Sequence, residues 1–127
     1  IGKDRALKNL SRNYVTEIME SVQTINEDAL VGDVRQLFSE KVYLWVTDEK
    51  GCFKGWLSKS VQLEDSAKVA DQTTSADPKE YGISSDSTLK DALSKLVMYG
   101  VVVLPVIDGG AVIGEISLKK ILEAGSG

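Results

Sequence analysis

The chain has 127 residues, 43% of them hydrophobic and 27% charged, with a formal net charge of −4, which suits one ordinary soluble domain or two small units sharing a core. A single cysteine, Cys52, and no histidine exclude an intramolecular disulfide framework, argue against zinc or haem ligation, and remove both a His-based triad and the commonest general base. The acidic balance argues against a general nucleic-acid binder. No run is long and apolar enough to span a bilayer and no signal peptide is visible, so the expected location is the cytosol or a cytosol-facing surface.

Residues 1–12, IGKDRALKNLSR, carry Lys3, Arg5, Lys8 and Arg12 against Asp4, a local charge of +3 that leaves −7 for the remainder. They read as a helical lead-in outside the core, either a solvated basic helix or an arm that meets an acidic partner or an anionic membrane surface. Val15, Ile18 and Met19 then give a short apolar helical face, and Val22 to Ile25 a brief extended segment. Asp28 is placed to cap a helix whose apolar face is Leu30, Val34, Leu37 and Phe38. Val42 to Thr47 reads as a strand, Asp48 to Gly51 as its turn, and Cys52 to Leu57 as the returning strand, after which Ser58 can cap a further short helix. Glu64 to Lys79, rich in Ser, Thr, Asp and Ala, reads as a connector.

The same order then returns with stronger signals. Leu89, Ala92, Leu93, Leu96 and Val97 share one helical face; Thr88 and Asp91 form a capping box, and Gly100 supplies the left-handed stop. Val101 to Ile107 reads as a strand apolar on both faces, in which Pro105 demands an edge or a bulge because it cannot donate to a ladder. Asp108-Gly109-Gly110 is turn chemistry, Ala111 to Ile116 the returning strand, and Ser117 the cap of a last helix with Leu118, Ile121 and Leu122 on its apolar face.

This is an internal repeat. Leu30, Val34, Leu37, Val42 and Gly55 find counterparts 59 positions later in Leu89, Leu93, Leu96, Val101 and Gly114, with Pro105 unpartnered and one extra residue in the first turn. Ile25 and Ile83 precede the two helices alike. Half of such a chain buries too little apolar surface to stand comfortably alone, so the two copies are expected to pack with pseudo-twofold symmetry and clefts at the join. The expected division is a linker at 1–12, the first copy at 13–66, the second at 67–124 and a tail at 125–127.

The β-α-β-β-α order, the helix ending before VVVLPVID, the Asp108-Gly109-Gly110 turn and the Gly114-Glu115-Ile116-Ser117 exit strand resemble a CBS domain, and the doubled copy over Tyr14 to Ala124 resembles the tandem CBS, or Bateman, module. The resemblance implies an α+β fold, α/β-like in its local order. Ile1 to Ser11 is similar to the junction that follows the nucleotide-binding domain in the ATP-binding subunits of glycine betaine, carnitine, choline and proline ABC transporters. That likeness implies a regulatory module of an osmoprotectant importer, cytoplasmic and peripheral to the membrane. Its implied partners are the ATPase domain, the permease and a second copy in a homodimer. ATP hydrolysis would belong to a different part of the subunit, since no G-x-x-x-x-G-K-[ST] loop occurs in the chain.

CBS pairs that hold adenosine nucleotides place a small residue, two hydrophobics, Ser or Thr, two variable residues and then Asp or Asn. Gly55, Trp56, Leu57 and Ser58 fit this pattern but end at Val61; Gly114 and Ser117 fit but Glu115 replaces a hydrophobic residue and Lys120 takes the last place. Neither copy has the ribose acceptor, so Ser58 and Ser117 serve as helix caps or as phosphate ligands, and capping alone explains them. Lys120 is a solvated lysine or a phosphate contact. The resemblance would have Ile25, Val42 and Tyr43 wall one cleft and Ile83, Val101 and Val102 the other, although all six also read as core strand residues. No cofactor is required; the implied regulatory ligand is an adenine nucleotide, cyclic di-AMP, AMP or ATP. The aromatics Tyr43, Trp45, Phe53 and Trp56 suit a packed face or a dimer contact better than a quaternary-ammonium cage. No catalytic group assembles from the sequence, which leaves a sensor of nucleotide or ionic strength, or a purely structural dimerisation module.

Overall fold

The computed structural model describes residues 8–59 and 62–126. Val61 and most of the Ile1 to Ser11 lead-in therefore lie outside the described residues. In chain order the elements are α1 (Val15–Ile18), β1 (Ile25–Asn26), α2 (Val31–Val34) running into a 3₁₀ turn at Arg35–Ser39, β2 (Tyr43–Thr47) and β3 (Phe53–Ser58). There follow α3 (Val69–Gln72), β4 (Thr74–Ser75), α4 (Pro78–Tyr81), β5 (Ile83–Ser84), α5 (Leu89–Tyr99), β6 (Val103–Asp108), β7 (Ala111–Ser117) and α6 (Leu118–Ser126). The fold is α+β, and its elements separate into two units. The N-repeat unit is Gln23–Glu80 with Gly109–Val112; the C-repeat unit is Ile1–Val22, Tyr81–Asp108 and Ile113–Gly127.

The N-repeat unit holds a sheet of order β1-β2-β3-β4, with β1 parallel to β2 and the other pairs antiparallel. Ile25, Val31, Phe38, Val46, Leu57 and Val69 lie in its core. The C-repeat unit holds the sheet β5-β6-β7, with β5 parallel to β6. Val15, Leu89, Leu96, Leu104, Ile116 and Ile121 lie in its core. Leu10 belongs there too, 5% exposed, so the lead-in expected to stay outside the core contributes to it. A leucine among polar neighbours carries no periodic signal; the C-repeat core gives it a place to bury, beside α6, where a Cβ on Gly125 would meet Leu10 Cδ2 at 3.5 Å.

The second helix forms as its caps dictate. Thr88 Oγ1 accepts from Asp91 N–H and the Asp91 carboxylate accepts from Thr88 N–H, both at 3.2 Å, while Gly100 closes α5 at φ 65°. Leu89, Ala92 and Leu96 are buried, but Val97 is 70% exposed. At about 100° per residue Val97 sits roughly 100° from the centre of that buried stripe, beyond its edge. The first helix is weaker. Its N-cap is Leu30, without a side-chain bond, and not Asp28, whose own N–H is taken by Asn26 Oδ1 at 2.8 Å. Gly32 stands in the first turn because a Cβ there would lie 3.1 Å from Asp65 Cβ, and a glycine shortens helices.

Backbone register corrects the internal alignment. Leu30 and Thr88 are equivalent N-caps, 58 positions apart, and Val46 and Val106, the parallel partners of Ile25 and Ile83, are 60 apart. Val31 thus takes the place of Leu89, Phe38 that of Leu96, Val42 that of Val102, and Trp45 that of Pro105, which was expected to have no partner. The longer α5 accounts for two added residues; a bulge at Lys54, where register passes from Val46↔Gly55 to Thr47↔Phe53, absorbs one in the first hairpin and restores the spacing of 59 at Gly55 and Gly114. Pro105 is fully buried on the middle strand, one residue ahead of Val106, where pairing to β5 begins, so no bond to β5 is lost.

Each unit is completed by the segment that precedes the other repeat. Tyr14 pairs with Thr88 and Glu20 with Glu115 in the C-repeat unit; Lys68 pairs with Leu30 and Thr74 with Trp56 in the N-repeat unit. The stretch read as a connector from Glu64 to Lys79 therefore contains α3 and β4. Its polar composition hid them because each is too short to show a period and only Val69 is buried.

Candidate functional site

The six residues expected to line clefts divide sharply. Ile25 and Ile83 are 3% and 6% exposed, locked on two-residue strands against Val46 and Val106, and serve the cores. Val101 is half-buried against the C-repeat core, its N–H donating to Leu96 O at 3.1 Å. Val42 and Val102 stand at the mouths of β2 and β6, 59% and 62% exposed, although both were also read as core residues. Their main-chain carbonyls explain why they stay there: Val42 O accepts from Lys59 N–H at 2.9 Å and Val102 O from Leu118 N–H at 2.8 Å. These bonds set each valine beside the residue that follows Ser58 or Ser117, so the exposed valine and the serine belong to one corner in each unit.

The two corners differ. In the C-repeat unit Ser117 is half-buried, and its Oγ accepts from Lys120 N–H at 3.2 Å, capping the nine-residue α6 as expected. Lys120 Nζ stands 3.9 Å from Glu123 Oε2, with both side chains about half exposed, a weak surface pair. Ser117 and Val102 thus place a hydroxyl and an apolar surface at the positive end of a helix, an arrangement that suits an anion carrying a flat ring, while the Lys120 ammonium is turned to Glu123, three residues along α6.

In the N-repeat unit Ser58 is 7% exposed and faces Tyr43 across the β2/β3 ladder. No helix follows it among the described residues 59 and 62–64, against the expectation of a cap, and Val61 lies outside them. Tyr43 packs edge to face on Trp56 at 6.4 Å, and Trp45 on Phe53 at 6.1 Å; these are packed pairs, as expected of alternate residues on paired strands. The pattern also passed over Lys59, whose ammonium donates to Phe38 O at 3.3 Å beside Ser58. Its signal was position: it follows the serine as Leu118 does in the second copy.

The glycines of the two exit strands have a structural cause. A Cβ on Gly55 would lie 2.0 Å from Thr74 O, and one on Gly114 would lie 2.9 Å from Glu20 O and from Met19 Sδ. Close crossing of a neighbouring strand demands both. Cys52 is half-buried, and Asp48 Oδ1 accepts from its N–H at 3.0 Å and from Lys50 N–H at 2.9 Å. These bonds hold the Asp48 carboxyl below the usual carboxylate range, the Cys52 bond contributing most. Among the described residues no group of acidic, cysteine or histidine side chains is arranged to hold a metal ion, and no helix is long and apolar enough to cross a membrane.

Comparison with known proteins places this geometry. No curated protein sequence matches the chain. Among solved structures, the CBS domain of the bacterial CNNM/CorC family Mg2+ transporter aligns with a TM-score of 0.73 at 20% identity, over 99% of this chain and 84% of that one. CBSX2 in complex with AMP aligns with a TM-score of 0.73 at 20% identity, over 88% and 95%. The cytosolic domain of the Mg2+ channel MgtE in complex with ATP aligns with a TM-score of 0.74 at 25% identity, over 93% of this chain and 51% of that one. The CBS domain family matches residues 15–60 and 78–127, one repeat each, and with two such repeats in register on their parallel strands the chain belongs to the CBS domain family as a tandem pair.

Proposed function

We propose that this chain is the adenine-nucleotide-responsive regulatory module of a larger transport protein, and that the nucleotide phosphate is received at Ser117. The observation that carries this reading is the C-repeat corner, where a half-exposed Ser117 capping α6 stands beside exposed Val102 and is followed three residues on by half-exposed Lys120. Two similar structures are complexes with AMP and with ATP, which supports the ligand class. That ATP complex and one further similar structure are cytosolic or CBS parts of Mg2+ transport proteins, which supports attachment to a membrane transporter from the cytoplasmic side. The likeness of Ile1 to Ser11 to an ABC junction points more narrowly to the ATP-binding subunit of a glycine betaine, quaternary amine or proline importer, with cyclic di-AMP or ionic strength as the osmotic signal.

Calorimetry of the whole chain against AMP, ATP and cyclic di-AMP, at about 0.05 and 0.5 M salt, tests this. Saturable binding that weakens at least about fivefold in Ser117→Ala/Lys120→Ala supports it, as loss of charge-assisted bonds requires. Flat traces with all three nucleotides overturn it.

A second reading, a dimerisation module without ligand, is favoured by a different observation: Val97 and Met98 on α5, each 70% exposed, and Leu122 on α6, 56% exposed, in one unit. Sedimentation of the isolated chain as a salt-insensitive homodimer together with flat calorimetry would establish it.

A further inference from the structure

We propose that residues 8–20 form a strap that opens and closes as one element with β7 and the start of α6, so that the chain leading into the first repeat reports the state of the corner at Ser117 in the second. The strap is fastened within the C-repeat unit at three places. At its beginning Leu10 is buried beside Gly125 of α6. In its middle Val15 N–H donates to Ser87 O and Asn13 O accepts from Leu89 N–H, both at 2.9 Å, tying α1 to the start of α5. At its end Glu20 and Glu115 exchange both main-chain bonds, each at 2.9 Å, and Met19 Sδ rests over Gly114.

The third fastening lies two residues before Ser117 on the same strand. β7 passes directly into α6, whose first N–H holds Val102 O and whose Ser117 cap holds Lys120 N–H. A displacement of Ser117 therefore moves a strand whose edge carries Glu20, and a rise or fall of α6 moves the surface on which Leu10 sits. Gly114 is the sensitive point. Its φ lies in the ordinary region, so its lack of a side chain serves only the approach of Met19 and Glu20. A fastening this closely fitted transmits small changes from either end. The coupling stands on these contacts; what loads it, a nucleotide at Ser117, rests on the function proposed above.

Amide hydrogen exchange of the whole chain tests the strap, using wild type, Gly114→Ala and Leu10→Ala. In Gly114→Ala the amides of Met19, Glu20, Glu115 and Leu118 are expected to exchange about tenfold faster together, while those of Val31 and Val69 in the N-repeat unit keep their rates. Leu10→Ala, which leaves β7 unaltered, is expected to accelerate Val15, Glu20 and Leu118 as a group, and it decides the matter where Gly114→Ala fails to fold. Independent responses of Glu20 and Leu118, or acceleration of Val31 and Val69 with them, overturn the proposal. With AMP bound, as verified by calorimetry, Glu20 is expected to slow together with Lys120. Bound AMP with Glu20 unchanged sinks the strap and leaves the nucleotide function standing. An absence of nucleotide binding sinks that function and leaves the strap to the two variants.

Discussion

Glycine positions carry the strongest single-residue constraints in this chain, and they differ in kind. Gly55 combines φ +148° with a Thr74 carbonyl in the path of any Cβ, whereas Gly51, at φ +84°, faces open space. Gly55→Ala is therefore expected to cost about 3 kcal/mol or more, combining backbone strain with overpacking, and Gly51→Ala only about 1 kcal/mol. Urea unfolding of the two variants checks the difference; equal costs would mean that β4 simply moves aside. Asp48 offers the corresponding electrostatic case. Its carboxyl is held below 3.8 first by the Cys52 N–H and then by the Lys50 N–H, Lys54 and Lys50, against some desolvation. A depressed carboxylate contributes stability above its ordinary value that is lost as pH falls through the folded value. The gap between wild type and Asp48→Asn should thus be present at pH 6, shrink below about pH 4 and close in stronger acid. A constant gap from pH 6 to 2 would assign the effect to packing.

At the scale of elements, α5 and α2 show how local signals and pairing share control. α5 has a full capping box, eleven helical residues and a left-handed glycine stop, and its extent was legible in the sequence for those reasons. Thr88→Ala removes one bond of that box and is expected to destabilise by about 1 kcal/mol, with thermal melting as the measurement. The same substitution at Asp28, expected from sequence to cap α2, should change stability by less than about 0.5 kcal/mol, since its side chain caps no helix N–H. The repeat alignment falls one residue out over α2 because apolar identity guides it, setting Leu30 against Leu89, and the Asp28 cap falls two residues ahead of the true N-cap, Leu30. The backbone pairing Leu30↔Lys68, equivalent to Tyr14↔Thr88, decides where each helix begins. β4 and α3 were invisible for a related reason: two-residue and four-residue elements are stabilised by the neighbour they join, not by their own period.

For the whole molecule, the exchange of preceding segments between repeats governs which substitutions are felt together. Val69 lies in sequence between the repeats yet is fully buried in the N-repeat core, and Val15 lies ahead of the first repeat yet is fully buried in the C-repeat core. Val69→Ala is expected to lose about 1–3 kcal/mol and to speed exchange first in the β2/β3 ladder; Val15→Ala should do so first in β5 and α5. Val15→Ala acting first on β2 would contradict the assignment of α1 to the C-repeat unit. Sequence alone determined the repeat, the α+β order, the α5 caps, the hairpin turns and the CBS resemblance, because caps, turns and amphipathic faces are encoded within a few residues. It also marked Ser117, since a serine ahead of an apolar helical face is a local signal, whereas Lys120 was marked only by its place in the nucleotide pattern that the CBS resemblance implies. Only the tertiary structure decided that Val42 and Val102 stand exposed while Ile25 and Ile83 are buried, that Ser58 is closed off where Ser117 is not, and that Leu10 joins the core. Each of those outcomes depends on which distant strand or helix arrives beside the residue, and valine, isoleucine and leucine read alike until that neighbour is in place.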